Sequence, residues 1–409
     1  MIRRDDAVVL DQRDELASLR EAFLLNDEIY LDGNSLGPLS KRSLARIEEV
    51  VSSQWREGLV RSWNSAHWMD LPFVVGDKIA RLIGAEPGEV VAADTLTFML
   101  AKLIGAALAL RPDRHIIVTD AANFHSDVYI ANSMARLTKR PIEVRPIDRN
   151  NLEGELSDDV ALVMLTHVDY RTGEMLDLAC ITEQVHAAGA LMLWDFAHST
   201  GAVPVDVRGA NVDFAAGCGY KYLNGGPGAP AFGYVARRWQ GVAENPLQGW
   251  LGHARPFDFT LDYEPAEGMA AFITSSPSIL ALASLDGALD IFGGTTMSAV
   301  RAKSLALTDL FLSLVEERLP GVFTFATPRE HHRRGSQVSM HHPHAYGVVQ
   351  AMIARGVTGD FRSPDIARFG FTPLYLRYVD VYDAVEHLVA VITNEEFANE
   401  RFATRNPVT

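Results

Sequence analysis

From residue 89 onward, short apolar runs alternate with stretches of helical spacing, and this alternation constrains the fold more than any other feature. Val90–Ala92, Ile116–Thr119, Ile142–Pro146, Leu162–Thr166, Leu191–Asp195, Phe214–Ala216 and Ala231–Val235 read as strands. Thr97–Leu110, Ser126–Leu137, Leu178–Ala188 and Ser278–Phe292 read as helices. A strand that is apolar throughout has no face to turn to water, so helices must cover both sides of the sheet. The expectation is an α/β fold with a mostly parallel, seven-stranded sheet. The shortest runs are plausible only as members of that one sheet. Such sheets place ligands beyond the C-terminal ends of their strands, and the last four runs carry polar residues there.

The remaining segments flank this unit. The first 30 residues read as a short helical lead, and Tyr30–Pro38 as a polar, turn-rich loop. Helical spacing runs from Ser40 or Lys41 to about Leu59, and again from Leu71 to Ile83. A long helix from about Ser298 to Arg318 precedes a mixed segment. There Val322–Ala326 and Leu374–Tyr378 look like strands, and Tyr346–Ala354 and Val381–Ile392 like helices. The 409 residues allow two or three domains at roughly 100–200 residues each. The expected division is residues 71–297 as a large domain and 298–409 as a smaller α+β domain, with 1–70 packing on the smaller one. The charged tail from Glu395 is expected to fray.

Composition excludes several classes. Lys and Arg number 37 against 52 Asp and Glu, a balance of −15, which argues against a nucleic-acid partner. Two cysteines, Cys180 and Cys218, rule out a disulfide framework and a Cys-rich zinc site, and a reducing compartment fits best. Met1–Arg20 has no apolar core of the kind a secretory signal carries. Leu96–Leu110 contains Lys102 and is too short to cross a bilayer. The expectation is a cytoplasmic enzyme with no membrane partner. Five histidines lie between His331 and His344, but Arg333 and Arg334 disfavour a cation among them, so they read as a solvated loop and no metal is expected.

The sharpest local signal is Asp195-Phe196-Ala197-His198 followed by Gly217–Gly228. Asp195 ends an apolar strand, where burial is costly unless a cation or donor faces it. Lys221 follows another apolar strand within a glycine-rich turn that a cofactor could approach closely. A structural ion pair would explain the two residues equally simply. A pyridoxal phosphate (PLP) enzyme explains them by chemical need: a lysine to form a Schiff base, and a carboxylate facing the ring nitrogen. Such an enzyme also needs a phosphate cradle and an aromatic face. Thr95-Leu96-Thr97 at a helix start suits the first, and Phe124, with Asp127 nearby, the second. Taken singly, Thr95 reads as a helix cap and Phe124 as a core aromatic. The stretch 225–228 lacks the ending of a P-loop.

Seven segments carry a narrower resemblance: Tyr30–Pro38 (YLDGNSLGP), Leu165–Gly173 (LTHVDYRTG), Leu193–Gly201 (LWDFAHSTG), Asp213–Gly228 (DFAAGCGYKYLNGGPG), Gly249–His253 (GWLGH), Gly356–Pro364 (GVTGDFRSP) and Arg368–Tyr375 (RFGFTPLY). The chain resembles the kynureninases, PLP-dependent hydrolases of the fold-type-I aminotransferase superfamily. The resemblance implies that fold type and the hydrolysis of kynurenine to anthranilate and L-alanine. It implies Lys221 as the Schiff-base lysine and proton shuttle, Asp195 at the ring nitrogen, and Tyr220 as phosphate ligand and acid/base. Leu96 and Thr97 would bind phosphate, Phe124 would stack on the ring, and Asp127, Thr166 and His198 would complete the cofactor shell. Trp250 and Ser276 would come from the neighbouring subunit of a homodimer with shared active sites. Arg368 would hold the substrate carboxylate, with Arg377 as the runner-up, and Ser35 and Trp63 would also contact substrate. Some members carry Asn at the Ser276 position and His near Trp63. A large apolar Trp and a small Ser suit unsubstituted kynurenine over its 3-hydroxy form.

Two other readings compete. A cysteine desulfurase-like lyase needs a mobile reactive Cys in a polar loop, whereas Cys180 lies in a helix and Cys218 in the turn before Lys221. A binding module that had lost catalysis should have lost Lys221, Asp195 or Arg368, and all three are present.

Overall fold

The computed structural model describes residues 2–402 and 404–405. A short strand, β1 (Ile29–Tyr30), precedes a seven-stranded sheet. Its members are β2 (Val90–Ala92), β3 (Ile116–Asp120), β4 (Glu143–Ile147), β5 (Val160–Thr166), β6 (Leu191–Asp195), β7 (Phe214–Cys218) and β8 (Ala231–Val235). The spatial order is β2-β8-β7-β6-β5-β3-β4. The expected strands are all present, within two residues at either end. Side chains alternate between two cores, as a doubly covered sheet requires: Leu191 and Leu193 pack with Met99 and Leu103, Met192 and Trp194 with Val75 and Leu282.

One strand departs from the expected direction. β8 runs antiparallel to β7 and β2, while the other pairs are parallel. The turn between β7 and β8 contains no helix, and a parallel return would need a long crossover. The C-terminal end of β8 therefore points away from the ligand edge. Gly228 and Ala229, which lead into its N-terminal end, face that edge instead.

The C-terminal part holds β9 (Thr324–Phe325), β10 (Gln337–His341), β11 (Val357–Thr358), β12 (Asp360–Arg362) and β13 (Ile366–Gly370). Strands β12-β13-β10-β9 form an antiparallel sheet, and β11 pairs in parallel with β1. The sequence reading places a strand at Leu374–Tyr378. The structure has a turn there, leading into the helix Tyr378–Thr393. Two N–H groups at that helix start, from Tyr378 and Val379, donate to the Asp11 carboxylate at 2.6 and 3.1 Å. This long-range cap leaves no local pattern to read. The expected helix to Leu59 is helical in extent, but from Val50 to Gly58 it winds as a π-helix. Up to Phe402 the tail does not fray, and residues 403 and 406–409 lie outside the described residues. Glu396 pairs with Arg355, and Phe397 stacks on His344 at 5.3 Å. The histidines between 331 and 344 are divided among elements, with His331 paired to Asp309 and His341 to Asp365. Among the described residues, no single helix is long and apolar enough to cross a membrane.

Candidate active site

The lysine turn is held from both sides. Gly225 N–H donates to the Gly219 carbonyl at 2.8 Å and Asn224 N–H to the Lys221 carbonyl at 2.9 Å, closing the loop after β7. The N-terminal loop then docks on it, with Gly37 N–H donating to the Tyr220 carbonyl at 2.8 Å. A Cβ at Gly37 would stand 2.5 Å from the Lys221 carbonyl oxygen and 2.6 Å from the Asn224 Cα. These are backbone atoms that cannot swing aside. Gly37→Ala is therefore expected to push the loop off the lysine turn and lower kcat by about 100-fold, the scale of a 1 Å displacement. Steady-state kinetics with a circular dichroism control checks this; an unchanged kcat would show that the loop docking is dispensable.

Lys221 Nζ lies 2.9 Å from His198 Nε2. Burial, then the charges of Lys221, Arg368 and Arg362, push the His198 imidazole well below its usual range. It is neutral, and Nε2 accepts from the lysine. His198 Nδ1 is buried without a partner. Asp195, at the end of β6, accepts the Ala197 N–H at 2.8 Å and is hydrogen-bonded to Asp127. Burial raises both carboxyls, and the charge of Asp195 adds to the shift at Asp127, which stands well above the carboxylate range. Asp127 accordingly holds the proton of the pair. Its Oδ2 is buried with no hydrogen-bond partner. Thr166, beside Asp195 in register, donates to Asn123.

Asp127 borders a cavity of about 310 Å³ lined also by Thr95, Leu96, Thr97, Phe124, Cys218 and Tyr220, the last of these next to Lys221 in the chain. The helix Leu96–Leu110 opens on it without a side-chain cap, so its first N–H groups face the cavity. Lys102, from within that helix, bonds back to Asp94 and to the Phe272 carbonyl, which pins the turn before it. Phe124 stands edge-on to Tyr170 at 5.2 Å. Charge on the neighbouring Cys218 thiol, then burial, push the Tyr220 hydroxyl upward, so it keeps its proton. A helix N-terminus and a buried carboxyl pair at this cavity, with a lysine beside them, fit a phosphorylated, cationic heteroaromatic ring.

Arg368, in the middle of β13, is 1% exposed. Its Nε donates to Asp360 Oδ1 at 2.7 Å, its Nη2 to Asp360 Oδ2 and, at 3.0 Å, to Ser35 Oγ, and its Nη1 to the Tyr170 carbonyl. With its amide oxygen turned inward, Asn34 also accepts from Nε and Nη2. The fork expected to be open for a substrate carboxylate is closed on Asp360. Sequence reasoning gave no role to Asp360, Arg362, Asn123 or Asp32, although the first two lie in the quoted segment Gly356–Pro364. The runner-up Arg377 is bound to Asp380 and caps a helix start elsewhere.

Asp32 completes this cluster. Burial and the Asp360 charge push its carboxyl up to about 7. The folded chain thus holds a proton that the unfolded chain releases near pH 3.9. Between those values stability falls as pH rises, because the native state binds more protons. Asp32→Asn should flatten that dependence, measured by urea unfolding at pH 5 and pH 8; a variant as pH-dependent as wild type would contradict it.

Trp63, Trp250 and Ser276 are not brought to this cavity within the chain. Trp63 packs edge-on against Trp68 at 5.5 Å. Trp250 is 42% exposed and borders a separate cavity with Phe259 and His253. Ser276 lies exposed in a loop near it, since a Cβ at Gly249 would stand 2.0 Å from the Thr274 carbonyl oxygen.

Residues 300–388 match the family profile described as the kynureninase C-terminal domain. The kynureninase of Burkholderia pseudomallei (strain 1106a) is 50% identical over 416 aligned positions, covering 100% of both chains. The chain belongs to the kynureninase family. The kynureninase of Pseudomonas fluorescens is 47% identical, again covering 100% of both chains. Among solved structures, a cysteine desulfurase from Thermococcus onnurineus NA1 superposes with TM-score 0.78 at 19% identity, over 92% of this chain and 98% of that one. A C-DES mutant with glycine covalently linked to its PLP cofactor gives TM-score 0.77 at 18% identity, over 90% and 98%. These likenesses show the fold alone and leave the chemistry to the site.

Proposed function

We propose that this protein is a PLP-dependent kynureninase that hydrolyses the Cβ–Cγ bond of L-kynurenine to give anthranilate and L-alanine, serving tryptophan degradation. The observation that carries the reading is full-length 50% identity to a kynureninase. The cluster of Lys221 with His198 at 2.9 Å and with the Asp127–Asp195 pair, Asp127 lining the cavity, supports it. The N-terminus of the helix Leu96–Leu110, with the Thr97 hydroxyl, would cradle the phosphate, and Tyr220 would lie at its edge. Phe124 would cover the ring face, with Thr166 beside its polar edge. Asp195 would face the ring nitrogen, where its carboxylate would favour the protonated ring, with Asp127 bonded behind it. Bound there, PLP supplies the electron sink that lets a carbon next to the amine lose a proton.

Lys221 then moves that proton, with neutral His198 as the acceptor that orients its amine. Tyr220, held protonated, is the acid near the γ-carbonyl during water addition and bond cleavage. Ser35 and Arg368 would face the substrate carboxylate. The chain would act as a homodimer, with Trp250 and Ser276 entering the partner's site. Ser276 is exposed, and Trp250 is exposed beside Phe257 and Phe259, which are 62% and 80% exposed. Residues 71–297 would form the cofactor domain and 298–409, with 1–70, the smaller one.

The direct test follows anthranilate fluorescence after adding kynurenine to the PLP-loaded protein. Absence of the signal, with sulfide released from cysteine instead, would overturn the assignment in favour of a desulfurase. Cys180 lies exposed on the helix Leu178–Ala187 and Cys218 lies buried at the end of β7, neither on a mobile loop. Trp63 and Ser276 favour unsubstituted kynurenine, with kcat/KM about tenfold above that for 3-hydroxykynurenine; the opposite ranking would refute their role.

A further inference from the structure

A bidentate hold on a carboxylate needs two N–H groups aimed at one place. Arg368 alone cannot supply them, because Asp360, Asn34, Ser35 and the Tyr170 carbonyl already engage its three nitrogens. Arg362, two residues from Asp360 on β12, is differently placed. Its Nη2 lies 2.6 Å from Asp360 Oδ2 and 3.5 Å from Ser35 Oγ, while its Nε is buried with no partner. Its side chain keeps 33% exposure, against none for Arg368. Both guanidinium charges are near enough to act on His198, which lies 2.9 Å from Lys221.

We propose that Arg362 is a second binding residue for the α-carboxylate of the amino acid substrate, and that Asp360 is the fixed counter-charge holding the two arginines together before substrate arrives. Two guanidiniums side by side repel one another. Asp360 offsets that repulsion, with its two oxygens accepting from Arg368 and from Arg362. An incoming carboxylate then meets the part-exposed guanidinium of Arg362, whose Nη2 lies 3.5 Å from Ser35 Oγ and whose Nε is still free to donate. Ser35 already donates to Asp360 at 2.9 Å and accepts from Arg368 at 3.0 Å, so it ties the N-terminal loop to the carboxylate position.

This inference rests on the kynureninase reading only in taking L-alanine as the product. The test uses PLP-loaded enzyme and measures binding through the change in cofactor absorbance on adding L-alanine or L-alaninamide, which lacks the carboxylate charge. Wild type should prefer L-alanine. R362Q should weaken L-alanine by about 10- to 100-fold, the scale of a hydrogen bond to a charged group, and change alaninamide by less than about threefold. R362K keeps the charge beside Asp360 but loses the planar fork, and should fall between. It is the deciding variant if R362Q does not fold. An alanine-to-alaninamide preference unchanged in R362K, with only a lower melting temperature, would assign Arg362 to the fold and overturn the proposal. So would a wild type that does not discriminate the two ligands. Failure of wild type to release anthranilate from kynurenine would instead count against the reaction assignment, because the binding ratio is read without that substrate.

Discussion

Replacing Lys221 by Ala should lower kynurenine turnover by about 10³-fold or more and remove the absorbance that marks covalent attachment of the cofactor. The size follows from the absence of a substitute. His198 lies 2.9 Å from the lysine amine, but burial and the charges of Arg368 and Arg362, which persist in the variant, hold it neutral and disfavour its taking a proton. Two other buried amines are committed elsewhere: Lys102 to Asp94, and Lys303 to Asp14 at 2.6 Å. Stopped-flow absorbance and anthranilate fluorescence on the purified variant make the measurement. Turnover within tenfold of wild type would remove Lys221 from the mechanism.

Asp360→Ala should carry the largest cost in stability, about 3–5 kcal/mol, because it strips the carboxylate from a fully buried guanidinium. Asp32 should recover part of it. The Asp360 charge is one of the two main reasons its carboxyl stands near 7, so in the variant it ionises more readily and faces Arg368. The double variant Asp32→Asn, Asp360→Ala should then lose more than the two single losses added together. Urea unfolding of the four proteins closes the cycle. Strict additivity would mean that Asp32 does not answer for Asp360, and a loss under about 1 kcal/mol for the single variant would mean that Arg368 finds other partners.

The large sheet was legible because its strands are buried on both faces and their apolar runs are unbroken. Val160 to Leu165 shows no exposed residue. The C-terminal strands broke the same rule. β13 carries Arg368 in its centre, and β10 buries Gln337 and Ser339. Each polar group is tolerated there through partners distant in the chain, which no window of sequence displays. The reverse error, a strand at Leu374–Tyr378, came from reading apolar content without the Asp11 cap. Within the site, Asp195 and Lys221 were readable because they end or follow apolar strands, while Thr166 came only with the family resemblance. The closure of Arg368 on Asp360 was not, because it depends on two strands lying in register and on a loop 333 residues away. Trp63 and Trp250 were legible as residue types, while their positions relative to the cavity were not.

The docking of the N-terminal loop has a consequence for how the molecule is made. Ile29 pairs with Val357, and Ser35 bonds to Arg368. During synthesis the early loop must wait for almost the whole chain to leave the ribosome before its partners exist. The central sheet can assemble first, since its strands lie between residues 90 and 235. A nascent or C-terminally truncated chain would then hold an ordered sheet and an unfinished site, and final maturation would be a late, slow step governed by contacts of very long sequence separation.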